Sequence, residues 1–159
     1  MRFSYPLQQV GVEDKALVKA YSDDFFAEIV YKKKTMPHAV EALEYLSSKY
    51  NLYILSNGFR ELQEQKMRSA GVDKYFKKVV LSEDIGVHKP FPEIFYFAMS
   101  ATQSELHTSL MIGDNWENDI AGAKDAGLGQ VFYNVKKTTK FSFQPTGIME
   151  DWNEIGKIL

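Results

Sequence analysis

The stretch Ser109-Leu110-Met111-Ile112-Gly113-Asp114-Asn115-Trp116-Glu117-Asn118-Asp119 changes character at Gly113. A short apolar run that ends on Gly and passes into a helix-like segment reads as a buried strand and its turn. Asp114 and Asp119 then stand just past the carboxyl end of a strand, where open α/β sheets place their ligands. Hard carboxylate oxygens at such a spot suit Mg²⁺.

Outward from this stretch, strands alternate with helices. Leu52-Tyr53-Ile54-Leu55 reads as a strand, turned by Ser56-Asn57-Gly58 into a helix from Glu61 to Ala70 that Gly71 stops. Val79-Val80-Leu81 is the next strand and Pro92 to Ala101 the next helix. Behind the opening stretch come a helix from Asp119 to Ala126 with Gly127 as its C-terminal stop, a strand Gln130-Val131-Phe132-Tyr133, and a polar loop. An edge strand Gly147-Ile148-Met149 and a closing helix Trp152–Leu159 complete the order. Strands spaced by helices predict a parallel sheet with right-handed crossovers.

The first 35 residues differ. Leu17, Tyr21, Phe25 and Ile29 recur every four positions, with Val18, Phe26 and Val30 beside them, which predicts an amphipathic helix over residues 1–35. Lys32-Lys33-Lys34 closes it, a favourable place for cations, and Pro37 marks a break. A second helix is predicted over Ala39–Lys49, with Val40, Leu43 and Tyr45/Leu46 inward.

A chain of 159 residues with 45% hydrophobic, 25% charged and 14% aromatic residues has the composition of one globular domain, with room for a small appendage. A net charge of −2 makes no case for a nucleic acid polymer or an anionic membrane as partner. Zero cysteines exclude disulfides, thiolate metal sites and cysteine nucleophiles. No apolar stretch approaches a membrane span, Met1-Arg2-Phe3-Ser4 does not lead into a signal-peptide core, and a cytoplasmic location is the default.

Each of the three inner strands is followed by a polar loop. Ser56 and Asn57 offer a hydroxyl, an amide and backbone N–H groups at a helix start, a natural anion cradle. Lys89 lies in Gly86-Val87-His88-Lys89-Pro90, where proline keeps the preceding residue out of helical geometry. Asp114 and Asp119 follow the third strand. Taken singly these residues have plain readings: Ser56 as a helix cap, Lys89 as solvated surface, the two aspartates as turn and helix-start residues. Together, a hydroxyl, a cation and carboxylates converging on one sheet edge make a phosphate site. His38, His88 and His107 show no ligand spacing and read as surface or loop residues. Asp23-Asp24 reads as a wet helix face. Phe59, Phe91 and Trp116 lie beside the motif loops, as packing residues or as contacts for a base or sugar.

With these motifs in this order the chain resembles the haloacid dehalogenase (HAD) superfamily, in particular capped phosphatases close to the pyrimidine 5′-nucleotidases. Leu-Ser-Asn-Gly at 55–58 matches its second motif, Gly-Val-His-Lys-Pro at 86–90 its third, and Gly113-Asp114 with Asp119 its fourth. The resemblance implies a HAD-type Rossmann-like α/β core, a parallel sheet flanked by helices, over residues 36–159. It implies a partial helical cap over residues 1–35. It further implies that Ser56, Asn57, Gly58 and Lys89 bind the phosphoryl group, that Lys89 neutralises the phospho-intermediate, and that Asp114 binds Mg²⁺. Asp119 would orient Lys89 or support the metal.

The family's nucleophile is the first Asp of an Asp-x-Asp motif on a strand that precedes the cap. Residues 1–51 hold only Asp14, Asp23 and Asp24, all in helical context, so the usual first strand is expected to be missing and the chain to be N-terminally truncated. In the family that strand lies between those ending at Ser56 and Gly113. Its absence would expose two apolar edges, so a separate upstream segment, an intimate oligomer or a rearranged sheet is expected. Two functional readings follow. One is a Mg²⁺-dependent phosphomonoester hydrolase acting on a small phosphorylated metabolite or nucleotide through an aspartyl-phosphate, its nucleophile absent from this chain. The alternative is a non-catalytic module that binds phosphate or a protein partner. A phospho-acceptor receiver domain is excluded, because there the acidic groups come first and Lys-Pro last.

Overall fold

Glycine and the helical period explain where the amino-terminal helices differ from expectation. The computed structural model of the chain describes residues 4–30 and 32–159, with the side chains of all but Ser4 and Val30. The expectations placed on the Val30 side chain and on the helical character of residues 1–3 and 31 lie outside the described residues. The chain divides into two compact units, residues 1–34 with 61–73 and residues 35–60 with 74–159. The segment 61–73 groups with the amino-terminal helices in the first unit.

In the first unit the single predicted helix is two, α1 (Ser4–Gln9) and α2 (Lys15–Val30). Gly11, at φ 77°, ends α1: its N–H bonds to the Gln8 carbonyl and the Val12 N–H to the Leu7 carbonyl. This paired C-terminal closure needs a left-handed residue, which glycine adopts without steric cost. Asp14 then caps α2, its Oδ1 accepting from the Ala16 N–H at 2.8 Å and the Leu17 N–H at 3.2 Å. The inward stripe of α2 is also corrected. Val18 is buried and Ser22, Phe25, Phe26 and Ile29 are half-buried, whereas Leu17 and Tyr21 are exposed. Residues spaced every four positions drift around a 3.6-residue helix, while 18, 22, 25, 26 and 29 stay on one face.

The second unit starts with α3 (Ala39–Ser47), which buries Ala42 and Leu46. It continues with β1 (Leu52–Ser56), whose chain passes on into α4 (Arg60–Ala70), and returns at β2 (Phe76–Leu81). Then follow α5 (Pro92–Thr102), β3 (Leu110–Gly113), a π-helical turn Trp116–Ala121 running into α6 (Gly122–Asp125), and β4 (Gly129–Tyr133). Last come β5 (Gly147–Met149) and a 3₁₀ segment Trp152–Lys157 in place of the expected closing α-helix.

All strand pairings are parallel, as expected of an α/β fold. They do not form one sheet. β1 pairs with β2, and β3 pairs with β4, which pairs with β5. Among the described residues, β1 and β3 therefore each have one edge without a ladder partner. Both are half-buried along their whole length despite their apolar sequences, whereas β4, paired on both sides, is buried from Gln130 to Tyr133.

The two sheets nevertheless share two cores. On one face Ala42, Leu46, Val131, Tyr133, Met149 and Ile155 pack together, joined by Leu52 of β1 and by Leu110 and Ile112 of β3. On the other, Ile94, Phe95, Ala123, Ala126 and Leu128 are joined by Leu55 of β1 and Met111 of β3. Leu110, Met111 and Ile112 go to alternate faces because successive strand residues point in opposite directions.

The carboxyl-terminal segment is held against α3. The Tyr45 hydroxyl donates to the Leu159 carbonyl at 2.7 Å, and His38 Nδ1 lies 2.6 Å from Asp151 Oδ1. His38 is thus a surface residue with a specific partner, which no ligand spacing could announce. Asp151 also caps the 3₁₀ segment, accepting from the Asn153 N–H at 2.9 Å. That backbone donor, and then His38, hold its carboxyl below the usual carboxylate range. A carboxyl with a lowered folded pKa contributes stability above its unfolded value, lost as pH falls through the folded one. Asp151→Asn is expected to lower the melting temperature at neutral pH, with a gap that closes as pH drops below the ordinary carboxylate range. A thermal denaturation series across pH checks it.

Candidate active site

Lys89 occupies the centre of the carboxyl edge. Its side chain is only 10% exposed, and that of Asp119 only 8%. The ammonium donates to Asp119 Oδ1 at 2.6 Å and to the Leu55 carbonyl at 2.8 Å. A buried charge is tolerated when paired and hydrogen-bonded, and here three segments cooperate: Leu55 lies in β1, Lys89 follows β2, and Asp119 follows β3.

Asp119 is fixed at its second oxygen as well, where Oδ2 accepts from the Asn115 N–H at 3.0 Å. It sits inside the π-helical turn rather than at a helix start. The Asn115 carbonyl accepts from both the Asp119 N–H at 2.9 Å and the Ile120 N–H at 3.4 Å, a widened turn of the kind common at functional sites. Asn115 Oδ1 caps the same turn through the Asn118 N–H at 2.9 Å. Gly113 makes the arrangement possible, since a Cβ there would overlap the Asp119 side chain.

The first loop is built differently. Ser56 Oγ accepts from the Gly58 N–H at 3.0 Å, which folds the turn on itself. The Asn57 side chain reaches the other loop: Oδ1 accepts from the Lys89 N–H at 2.8 Å and Nδ2 donates to the Lys89 carbonyl at 3.0 Å. Asn57, Lys89, Leu55 and Asp119 are thereby linked through a chain of hydrogen bonds, with the Ser56–Gly58 turn directly beside it in sequence. Asp114 stands apart from that chain. It is exposed and makes no ion pair among the described residues.

A haloacid dehalogenase-like hydrolase family model matches residues 6–127. The chain belongs to this family. It is 33% identical over 152 residues to the pyrimidine 5′-nucleotidase YjjG of Escherichia coli, covering 95% of this chain and 64% of that protein. It is 32% identical over 106 residues to the glyceraldehyde 3-phosphate phosphatase of Methanothermobacter thermautotrophicus, covering 66% of this chain and 47% of that one. Among solved structures, the magnesium-bound HAD-hydrolase YfnB of Bacillus subtilis superposes with a TM-score of 0.86 at 28% identity, over 99% of this chain and 68% of that one. This chain thus spans 64% and 47% of the lengths of the two curated relatives.

The donor set can be tested against the Mg²⁺ that the HAD fold implies. Mg²⁺ takes oxygen ligands, keeps several waters and is commonly held by one or two carboxylates together with phosphate oxygens. Asp114, exposed and without an ion-pair partner among the described residues, fits such a ligand. Asp119 already receives a donor at each oxygen, the geometry of a group that holds Lys89. The described residues contain no cluster of three or more His, Asp or Glu that would enclose a metal by themselves.

Several contributors carry no signal in the sequence. The first amide of α4, the Arg60 N–H, donates not to Ser56 but to Glu83 Oε1 at 3.0 Å, and the Arg60 guanidinium pairs with Asp84. Asp84 in turn accepts from the Leu81 N–H at 2.9 Å; that bond, and then Arg60, lower its carboxyl pKa. Trp116 packs within 4.8 to 5.3 Å of the rings of Phe143, Phe141 and Phe132, which assigns it to packing. Phe59 and Phe91 remain exposed.

Gly113→Ala is expected to destabilise the fold by about 1–3 kcal/mol, the usual cost of forcing an atom into a filled space. It should also displace Asp119 from Lys89. Urea denaturation measures the first effect, and the backbone amide resonance of Asn115, which bonds to Asp119, reports the second.

Proposed function

We propose that this chain carries the phosphate-handling part of a Mg²⁺-dependent phosphomonoester hydrolase that works through an aspartyl-phosphate on a small phosphorylated metabolite or nucleotide. The observation that carries the reading is the ammonium of Lys89. Two of its three N–H groups are spent on Leu55 and Asp119, which leaves one for a ligand oxygen at the edge where the motif loops meet. Phosphoryl transfer asks the protein mainly for positioning and for neutralisation of oxygen charge. The phosphatase and nucleotidase relatives support the same chemistry.

In this reading the Ser56 hydroxyl and the backbone N–H groups of Asn57 and Gly58 bind phosphoryl oxygens. The Gly58 N–H would exchange its bond to Ser56 Oγ for one to the ligand. Lys89 neutralises the phosphoryl group, and Asp119 keeps the ammonium oriented. Asp114 is the ligand this chain offers to Mg²⁺, which when bound supplies further neutralisation of phosphoryl oxygen charge.

The nucleophile is the remaining part. No Asp-x-Asp stands in residues 1–51. We infer that a strand outside this sequence supplies it and lies between β1 and β3, as a separate segment or from a second polypeptide. Each of those strands has a free edge, both are half-buried, and both already contribute side chains to the same two cores. A strand added there would gain main-chain hydrogen bonds on both sides. The amino-terminal helices are read as part of a cap, and a cytoplasmic location accords with the cysteine-free composition.

Co-expression with a segment carrying an apolar strand that ends in Asp-x-Asp tests the reading. A stable complex that releases phosphate from uridine monophosphate or p-nitrophenyl phosphate only with Mg²⁺ is expected, and Asp114→Asn should abolish the release. Full activity in that variant would refute the metal role of Asp114. A stoichiometric complex without any turnover would refute the hydrolase itself.

A further inference from the structure

A lysine side chain has four rotatable methylenes, so the place of its ammonium depends on where its main chain is held. Two residues hold the main chain of Lys89, and neither is among its charge partners. The first is Asn57. Both ends of its amide are used on one residue, accepting from the Lys89 N–H at 2.8 Å and donating to the Lys89 carbonyl at 3.0 Å. This closed ring imitates a strand pairing, and it needs a donor and an acceptor on one short planar group. Aspartate would lose the donor and set an anionic oxygen against the Lys89 carbonyl; serine would be too short to span both.

The second is Gly122, the first residue of α6. A Cβ at this position would stand 2.8 Å from the Pro90 carbonyl oxygen, 2.9 Å from Pro90 Cα and 3.0 Å from Phe95 Cε2. The two nearest atoms are backbone, which cannot swing aside as the end of a side chain would. Pro90, directly after Lys89, is therefore seated on the main chain of α6. Gly122 follows Asp119 by three residues, so one helical segment carries both the carboxylate that takes the ammonium and the seat of the loop that delivers it.

We propose that Asn57 and Gly122 are the positioning residues of Lys89, Asn57 by clasping its main chain and Gly122 by seating Pro90, so that both act on the phosphoryl group through the ammonium. Asn57 then contributes to the site by its side-chain hold on Lys89, and its side-chain amide, unlike its backbone N–H, is not a ligand for substrate. The placement rests on the geometry alone, while its effect on phosphate rests on the proposed role of Lys89.

The test uses the chain with ¹⁵N-labelled lysine, following the Lys89 Nζ resonance over a pH series and titrating inorganic phosphate. Lys89→Met identifies the resonance. Asn57 is exposed, so Asn57→Ala should fold, and it is expected to shift the Nζ resonance toward that of a solvated lysine. Phosphate affinity should weaken about tenfold, equivalent to about 1.4 kcal/mol. Asn57→Asp, which keeps one of the two bonds to the main chain, should also shift the resonance, and Gly122→Ala should do so at a greater cost in stability. An Nζ resonance unchanged in Asn57→Ala overturns the clasp, and one unchanged in a folded Gly122→Ala overturns the seat, whatever phosphate does. A shifted resonance in a chain whose parent binds no phosphate upholds the positioning role and counts against the phosphate reading.

Discussion

The buried pair between Lys89 and Asp119 is the constraint to which the carboxyl edge of the second unit is fitted. Taking an ammonium and a carboxylate out of water costs several kcal/mol per ion unless each finds further hydrogen bonds. Those bonds come from the backbone: the Leu55 carbonyl for the ammonium, the Asn115 N–H for the carboxylate. Because these groups belong to β1 and to the turn after β3, satisfying one ion pair fixes three loops. The small residues around it follow from the same demand. Gly113 leaves room for the Asp119 side chain, and Gly122 lets the Pro90 main chain come close. The widened turn at Trp116–Ala121 holds Asp119 where both its oxygens meet donors.

Side-chain amides take the place of regular secondary structure in the loops. Asn57 clasps the main chain of Lys89, and Asn134 does the same to Thr138, accepting from its N–H and donating to its carbonyl, each at 2.9 Å. The second clasp shapes the loop after β4, from which Phe141 and Phe143 pack on Trp116. That aromatic group braces the start of the π-helical turn from the side opposite in sequence to Gly113. Asparagine suits both positions because a single planar group carries a donor and an acceptor at the reach of one peptide unit.

The divided sheet sets the second feature of the fold. Parallel strands are normally covered on both faces and paired along both edges in the middle of a sheet. β1 and β3 meet the first condition, since each sends side chains into the cores above and below, yet among the described residues each is paired in a ladder along one edge only. The two halves are held in common by helix packing and by Lys89 rather than by a ladder. Main-chain groups along one edge of β1 and one edge of β3 thus have no ladder partner among the described residues, and these are the edges that the proposed completing strand would take.

The α/β class, the order of strands and helices, and the three polar loops were legible in the sequence, because apolar runs ended by Gly and followed by helical patterns report local backbone preferences. That Ser56, Asn57, Lys89, Asp114 and Asp119 stand at or just past the carboxyl ends of strands was legible for the same reason. What those residues touch was not. That Asn57 spends its amide on Lys89, that Glu83 rather than Ser56 receives the first amide of α4, and that His38 pairs with Asp151 depend on segments up to 113 residues apart coming together. The break at Gly11 and the face that α2 buries likewise escaped a reading by period alone, whereas the two open strand edges at β1 and β3 were expected from the family resemblance. Local pattern specifies which elements form and where their polar ends lie; hydrogen-bond partners and strand edges are settled only when packing brings distant backbone groups within three ångströms of one another.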